Sequence, residues 1–412
     1  MHTTTQGRLA ADEFAFRYLF PDDARKEPWT LDATEQRYQL PSTAGDAAGV
    51  DLEPWFRPCV LGKPAQVGLR DRLLTTLLAC LSPASLTPRS PYGLHGSHPS
   101  PRAYYPLQCL LLDAQRDECH WLDHRQLRLR PIAGHGLLPP PGDAGLSLWL
   151  KADFHVYHPL YNLFRKALFA LEAGHFMAEI LALGKAYELD LRPAIDEQGI
   201  RITVHAHPAG SAGGDALTAH SRFARQRNSG RFQQGLMPAS HRFDGAALGR
   251  LQDAISTALD EAAGLFPLVR QYPLSAKLCL RAGEGVAAGI YRIAPEGLQQ
   301  LDPADPVDAC ERHFNYPNFS FATVPGLLFL CIDPTALAGP ERNFIEINCA
   351  LGHVAQRLIR HLDGQQLFGR PFRSYDQFGM DRLLRNSADG SKTYYGLLMG
   401  RNRSQETLGV LR

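Results

Sequence analysis

Two short arginine-rich clusters carry the residues best suited to chemistry in this 412-residue chain. The first, Arg225-Gln226-Arg227-Asn228-Ser229-Gly230-Arg231, combines three guanidinium groups, a hydroxyl and a glycine. Guanidinium forks bind phosphate oxygens in bidentate fashion, a serine hydroxyl adds a donor, and glycine lets the backbone approach an anion closely. The second cluster, Gly400-Arg401-Asn402-Arg403-Ser404, follows an apolar run at 394–399 that reads as a strand. Two such clusters at opposite ends of one domain can converge on one phosphate, whereas either alone also suits a solvated basic loop. The formal net charge is only +1, so no global field draws nucleic acid or an anionic membrane, and an anion must be held locally.

Both clusters lie in the second copy of a repeat. Gly174-His175 and Gly352-His353 each sit in an apolar stretch with steps of three and four residues. Phe164, Leu168, Leu171, His175, Ala178 and Ala182 mark the first, and Phe344, Ile347, Leu351, Val354 and Leu358 the second. That spacing predicts two long helices. From His175 to Arg192 and from His353 to Arg370 is 17 positions in each case, and a proline follows each arginine. A long helix with the same exit, found twice, predicts an internal duplication with about 200 residues per copy. The Gly/Ser/Ala-rich stretch at 208–214 has linker composition, which divides the chain into 1–207 and 208–412. The first 60 residues read as extended arms with short helices. A helix is expected over 68–81, strands at 107–112, 146–150 and 200–206, and a hairpin with a Pro/Gly loop between 119 and 150. The second copy is expected to have a helix over 243–259 and strands at 275–280, from 287 onward and at 326–332. Strands interleaved with helices predict an α+β fold with helices against a sheet in each half.

The eight cysteines are dispersed without a C-x-x-C pair, which predicts buried free thiols and a reducing, cytoplasmic setting. The segment from Met1 lacks a basic region followed by an apolar one, and no apolar stretch is expected to serve as a membrane span. His175 and His353 lie on apolar helical faces, where a hydrogen-bonded core role is expected. His205 and His207 alternate along a strand, but no third metal ligand stands at useful spacing.

The motifs in their joint order resemble the FMN-dependent nitroreductase superfamily. Arg227-Asn228-Ser229-Gly230-Arg231-Phe232 is similar to its R-x-S-x-R/K-x-F opening, and Gly400-Arg401-Asn402-Arg403 to its closing G-K/R-x-R. Gly289 and Tyr291, and Gly352-His353-Val354-Ala355-Gln356-Arg357-Leu358, resemble the G-x-Y and G-H-x-x-Q-N-L elements of the SagB-type, peptide azoline dehydrogenase branch. Pro99-Ser100-Pro101-Arg102-Ala103-Tyr104-Tyr105-Pro106 resembles that branch's P-S-x-x-A-x-Y-P loop, and Leu171-Glu172-Ala173-Gly174-His175 its L-E-A-G-H helix start. Phe372-Arg373-Ser374-Tyr375-Asp376 matches a P-x-G-G-F-D segment that approaches the flavin ring, with Arg373 and Ser374 in place of the glycines.

The resemblance implies two tandem nitroreductase-like domains fused into an intrachain pseudodimer, with FMN between them. The phosphate grips appear only in the second half and the P-S-x-x-A loop only in the first, so it implies one composite site per chain. Arg227, Asn228, Ser229, Arg231, Arg401 and Arg403 are its expected phosphate and ribityl contacts, with Pro99, Ser100, Arg102, Arg373 and Ser374 around the cofactor. Azoline chemistry needs a base beside the flavin, and the branch's Lys-Tyr pair is matched only in its tyrosine, Tyr161. Tyr161 and Lys166 are the expected catalytic residues, with Lys151, His155, Tyr157, His158 and Arg165 nearby. The implied activity is oxidation of a peptide-borne or small heterocyclic substrate, azoline to azole being the type reaction, with partners from a biosynthetic cluster. An NAD(P)H-dependent nitro or flavin reductase and a catalytically degenerate FMN-binding or scaffold subunit remain open.

Overall fold

The computed structural model describes residues 31–40, 49–61, 68–86, 94–132, 145–157, 161, 164–206, 214–227, 229–232, 235–236, 238–315, 319–337, 339–402 and 409–410. Two antiparallel sheets organise the chain. The strands of the first are β1 (Val50–Asp51), β4 (Leu107–Asp113), β5 (Glu118–Asp123), β6 (Arg128–Pro131), β7 (Leu146–Ala152), β8 (Leu189–Asp196) and β9 (Gly199–Ala206). Those of the second are β12 (Ser275–Leu280), β13 (Gly289–Ala294), β14 (Gly297–Asp302), β15 (Gly326–Ile332), β16 (Phe368–Phe372) and β17 (Lys392–Gly400). The first sheet has the order β1-β6-β5-β4-β7-β9-β8 and the second β14-β13-β12-β15-β17-β16. Apart from the two-residue β1, the orders correspond strand for strand, as an internal duplication requires.

Central strands β4, β7 and β15 are buried along their whole length, so their apolar runs show no alternation. The edge strands explain the second landmark of the repeat. Arg192-Pro193 lies in β8 and Arg370-Pro371 in β16, and each of these strands closes its sheet. Proline lacks the N–H that an inner strand must donate on both sides, so it is tolerated at the edge.

The helices are α1 (Ala33–Tyr38), α2 (Glu53–Leu61), α3 (Leu69–Leu81), α4 (Arg165–Ala186), α5 (Gly214–Gln226), α6 (Gly245–Leu265), α7 (Pro267–Gln271), α8 (Val307–Arg312), α9 (Glu341–Gly364) and α10 (Gln377–Leu383). The long helices α4 and α9 pack against each other, and one apolar cluster runs through both halves, from Leu74 and Phe176 to Leu351 and Leu358. Helix α4 has the length and apolarity of a membrane span, contrary to expectation, but 83% of its apolar window is buried inside the fold. Its composition is that of a helix covered on all sides.

Elements also cross between the halves. Helix α5 follows the 208–214 stretch yet packs on α2, α3 and α4 of the first half. Strand β18 (Gly409–Val410) pairs with β2 (Ser85–Leu86), which pairs with β3 (Leu94–His95). Edge strand β8 and helix α5 are not among the expected elements: β8 is mostly polar, and α5 does space its buried residues as a helix, at Leu217, His220, Phe223 and Ala224, but only three of these are apolar. The 208–214 stretch lies outside the described residues except for Gly214. The seven described cysteines are buried and form no disulfide.

Candidate composite site

The crossing of α4 and α9 places everything else. A Cβ on Gly174 would fall 1.9 Å from the Cys349 carbonyl oxygen, and one on Gly352 would fall 2.0 Å from that of Leu171. Positions 171 and 349, like 174 and 352, are 178 apart, so the two contacts are equivalent under the repeat. Glycine is required at both because the helix backbones touch there.

The neighbouring histidines then meet different surroundings. His175 Nδ1 lies 3.0 Å from Gln356 Oε1 and its Nε2 3.0 Å from the Tyr395 hydroxyl. Gln356 Nε2 donates to Glu179 Oε1 at 2.6 Å and to the Ser97 carbonyl at 3.1 Å, which fixes the amide orientation. His175 must therefore carry its proton on Nδ1, and Tyr395 donates to Nε2. Burial pushes the His175 imidazole down to about 3, so it is neutral. Glu179, fully buried, is held by Arg360, whose Nε donates at 2.7 Å, and lies 3.2 Å from His220 Nδ1. His220, pushed to about 4 by burial, donates from Nε2 to the Ala79 carbonyl at 3.1 Å. These residues of α4, α5, α9 and β17 join the halves. A sequence pattern gives no notice of Glu179, Gln356, Arg360 and Tyr395 as a group, because the contacts that join them to one another and to His175 and Ser97 span 177 to 259 positions.

The first-half loop is tied down from both sides. Ser100 Oγ donates to Glu172 at 2.6 Å and accepts from Tyr105 N at 2.9 Å. Tyr105 Oη accepts from Gly96 N at 2.6 Å. Ala103 and Tyr105 hold φ of 53° and 47°, in the left-handed region that non-glycine residues rarely occupy. Such backbone strain persists where surrounding contacts enforce it, and it concentrates at functional sites. Arg227 reaches this loop from the second half, donating to the Gly96 carbonyl at 3.1 Å and the His98 carbonyl at 3.2 Å. Two of its five donors thus bridge the halves.

The two arginine clusters converge. Cβ atoms on Gly230 and Gly400 would fall 2.1 and 2.7 Å from the same Phe368 ring, and Gly230 has φ +69°. Ala239 N donates to the Arg401 carbonyl at 2.8 Å, and Arg370 donates to the Ser229 carbonyl at 3.4 Å. Phe368 and Arg370, on edge strand β16, are thus the unforeseen hub of the site. The Arg401 side chain is exposed. Arg231 lies in strand β10 (Arg231–Phe232), paired with β11 (Gly235–Leu236), while its side chain, like that of Arg102, lies outside the described residues. Asn228 and Arg403 lie outside them altogether.

A solved structure of a putative nitroreductase from Anabaena variabilis matches 95% of this chain and 99% of its own, at 12% identity and a TM-score of 0.61. The chain has a nitroreductase-like fold. Structures of a putative nitroreductase from Ralstonia eutropha and of the E. coli microcin synthetase McbBCD complex with truncated pro-MccB17 bound overlap less. They match 43% and 32% of this chain and 80% and 53% of theirs, at 16% and 13% identity and TM-scores of 0.32 and 0.28, too low to inform function. No family model and no curated protein sequence matches the chain.

Within the nitroreductase-like fold, the remaining expected residues separate. Pro99 precedes the Ser100 anchor and Arg102 follows it in the strained loop. Tyr161 is buried, its ring 6.5 Å from that of Tyr104 and 6.2 Å from that of Tyr157 in edge contacts, so it touches the same loop. Lys166 instead ties the helix starts together, at 2.9 Å from both Asp32 and Glu341. Those carboxylates outweigh its partial burial and raise its pKa, so it stays protonated. Of the nearby groups, Lys151 donates to the Arg37 carbonyl at 2.8 Å, Arg165 pairs with buried Glu35, the Tyr157 hydroxyl is buried, and His158 is outside the described residues. Arg373 stacks 4.0 Å over the Tyr394 ring, and Asn315 N donates to the Ser374 carbonyl at 3.1 Å.

Proposed function

We propose that the chain is a flavin-dependent oxidoreductase holding one FMN per chain at the composite site, in an intrachain pseudodimer divided near 207/208. The observation that carries this reading is the convergence of Gly230 and Gly400 on one Phe368 ring, which brings two arginine clusters to one place only. The residues fit the cofactor. Gly230 and Gly400 make room for the Phe368 ring that brings the clusters together, and Arg227, Ser229, Arg231, Arg401, Arg403 and Asn228 would supply charge and donors for the cofactor's phosphate and ribityl chain. Pro99, Ser100 and Arg102 would close over it from the first half, and Arg373 and Ser374 would face the ring. Bound flavin would accept a hydride from the substrate. Tyr161, whose ring meets that of Tyr104 in the Ser100 loop, would contact the substrate. The substrate is a peptide-borne or small heterocycle, with azoline-to-azole oxidation as the type reaction.

One observation favours a second reading. Lys166, kept protonated by Asp32 and Glu341, is poorly suited to remove a proton. An NAD(P)H-dependent nitro or flavin reductase needs no such base.

An absorbance spectrum with flavin-to-protein stoichiometry tests the cofactor assignment. A ratio near one is expected, and Arg401→Gln should weaken FMN about 10- to 100-fold, the worth of one guanidinium–phosphate contact. A ratio near two contradicts the single composite site. Protein that takes up no FMN is a scaffold or degenerate subunit. Anaerobic bleaching of the flavin by NAD(P)H selects the reductase, and bleaching by an azoline peptide alone selects the dehydrogenase.

A further inference from the structure

Arg373 and Ser374 present two donors that no described residue uses. Arg373 Nη1 and Ser374 Oγ are shut off from solvent, and among the described residues neither has a hydrogen-bond partner. Nor does Arg373 form an ion pair among those residues. Its guanidinium lies against the Tyr394 ring and acts electrostatically on the phenols of Tyr375 and Tyr395. These phenols supply no negative charge, because burial keeps both protonated, and the Tyr395 proton is directed to His175. The acidic groups nearby in sequence are engaged elsewhere. Asp376 accepts from Phe378 N at 3.1 Å and lies 3.4 Å from His313, while Asp381 accepts from Asn386 and from Thr393 N, both at 2.7 Å. A guanidinium N–H that is buried and unpaired is costly, and a ligand acceptor would remove the cost.

We propose that Arg373 and Ser374 form a subsite for a carboxylate of the substrate. Stacking on Tyr394 fixes the guanidinium plane, so the edge bearing Nη1 is presented in one direction. In this proposal a planar carboxylate would take the N–H on one oxygen and the Ser374 hydroxyl, from the next residue in the chain, on the other. One cation with one hydroxyl suits a monoanion better than a phosphate dianion. This deepens the flavin-enzyme reading by naming a substrate class, and it is testable apart from that reading.

Benzoate and its neutral isostere benzamide serve as probes, titrated calorimetrically into the full-length protein both with FMN and after flavin removal. Benzoate should bind at least about tenfold more tightly than benzamide, the difference expected of a charge-assisted contact. Arg373→Gln should erase that preference, Arg373→Lys should keep part of it, and Ser374→Ala should reduce it a few-fold. Equal affinities, no binding of either probe, or a preference that survives Arg373→Gln overturns the subsite. Loss of FMN in Arg373→Gln without any benzoate preference in the parent protein gives this cation to the cofactor and also overturns it. A benzoate preference in protein that takes up no FMN sinks the flavin reading and leaves the subsite standing.

Discussion

The two halves share a strand order but not a polar chemistry. His175 and His353 follow equivalent glycines on equivalent helices. His175 is bonded at both nitrogens to second-half residues, whereas His353 Nε2 lies 3.9 Å from Glu261 Oε2, at ion-pair range, and among the described residues neither of its nitrogens has a hydrogen-bond partner. The residue corresponding to Gln356 in the first half is Ala178. Packing tolerates little change, since a misplaced methyl meets a carbonyl, while a polar role survives only if each of its partners does. The duplication has accordingly kept its glycines and divided its polar work.

The strongest way to break the symmetry is at the crossing. Gly352→Val or Gly174→Val should abolish stable folding, because each Cβ would lie about 2 Å from a backbone carbonyl that cannot move without moving a helix. Soluble yield and circular dichroism read this, and a folded variant would remove the close-contact argument. The histidines give the next largest difference. His175→Leu strands Gln356 Oε1 and the Tyr395 hydroxyl and should cost about 2–4 kcal/mol in urea unfolding, while His353→Leu should change stability by less than about 1 kcal/mol. Equal costs would mean that the halves use the two rings alike.

Acid sharpens the same contrast. The folded pKa of His175 lies at about 3 against 6.5 for the ordinary imidazole, so below 6.5 the unfolded chain binds a proton that the folded one refuses. The stability it contributes is intact above pH 6.5 and is lost as pH falls toward 3, by about 2 kcal/mol at pH 5. His220, at about 4, acts in the same direction. Unfolding midpoints across pH 7 to 5 should slope less in His175→Leu, and an unchanged slope would contradict the neutral buried ring. The smallest effect is at a glycine outside the crossing. A methyl group added at Gly249 in α6 would meet nothing within 4 Å, so Gly249→Ala should stabilise by about 0.5–1 kcal/mol in the same assay.

Much of the scaffold was legible in the sequence. The strand expected at 275–280 is β12, that at 326–332 is β15, and both repeat helices lie where the three-and-four spacing puts them. Strand β8 was not legible, because its buried alternation is confined to Leu189 and Leu191 and the rest, with Asp190, Arg192 and Pro193, is a largely polar edge. At the site, the arginine clusters were visible as composition, but the role of Arg227 as a bridge to the Gly96 and His98 carbonyls was not. Lys166 had the right type and place in the chain for a base, yet Asp32 and Glu341 hold its proton.

The sequence by itself determined the repeated landmarks, a glycine before each histidine and a proline after each arginine, which the structure puts at the helix crossing and at the sheet edges. Each of these depends on backbone geometry, which local residue choice must satisfy wherever the chain goes. Only the tertiary structure decided which arginine faces a carbonyl, which histidine finds partners and which donors are left for a ligand. Those outcomes depend on side chains brought together from positions more than a hundred residues apart, and no local pattern records such a meeting.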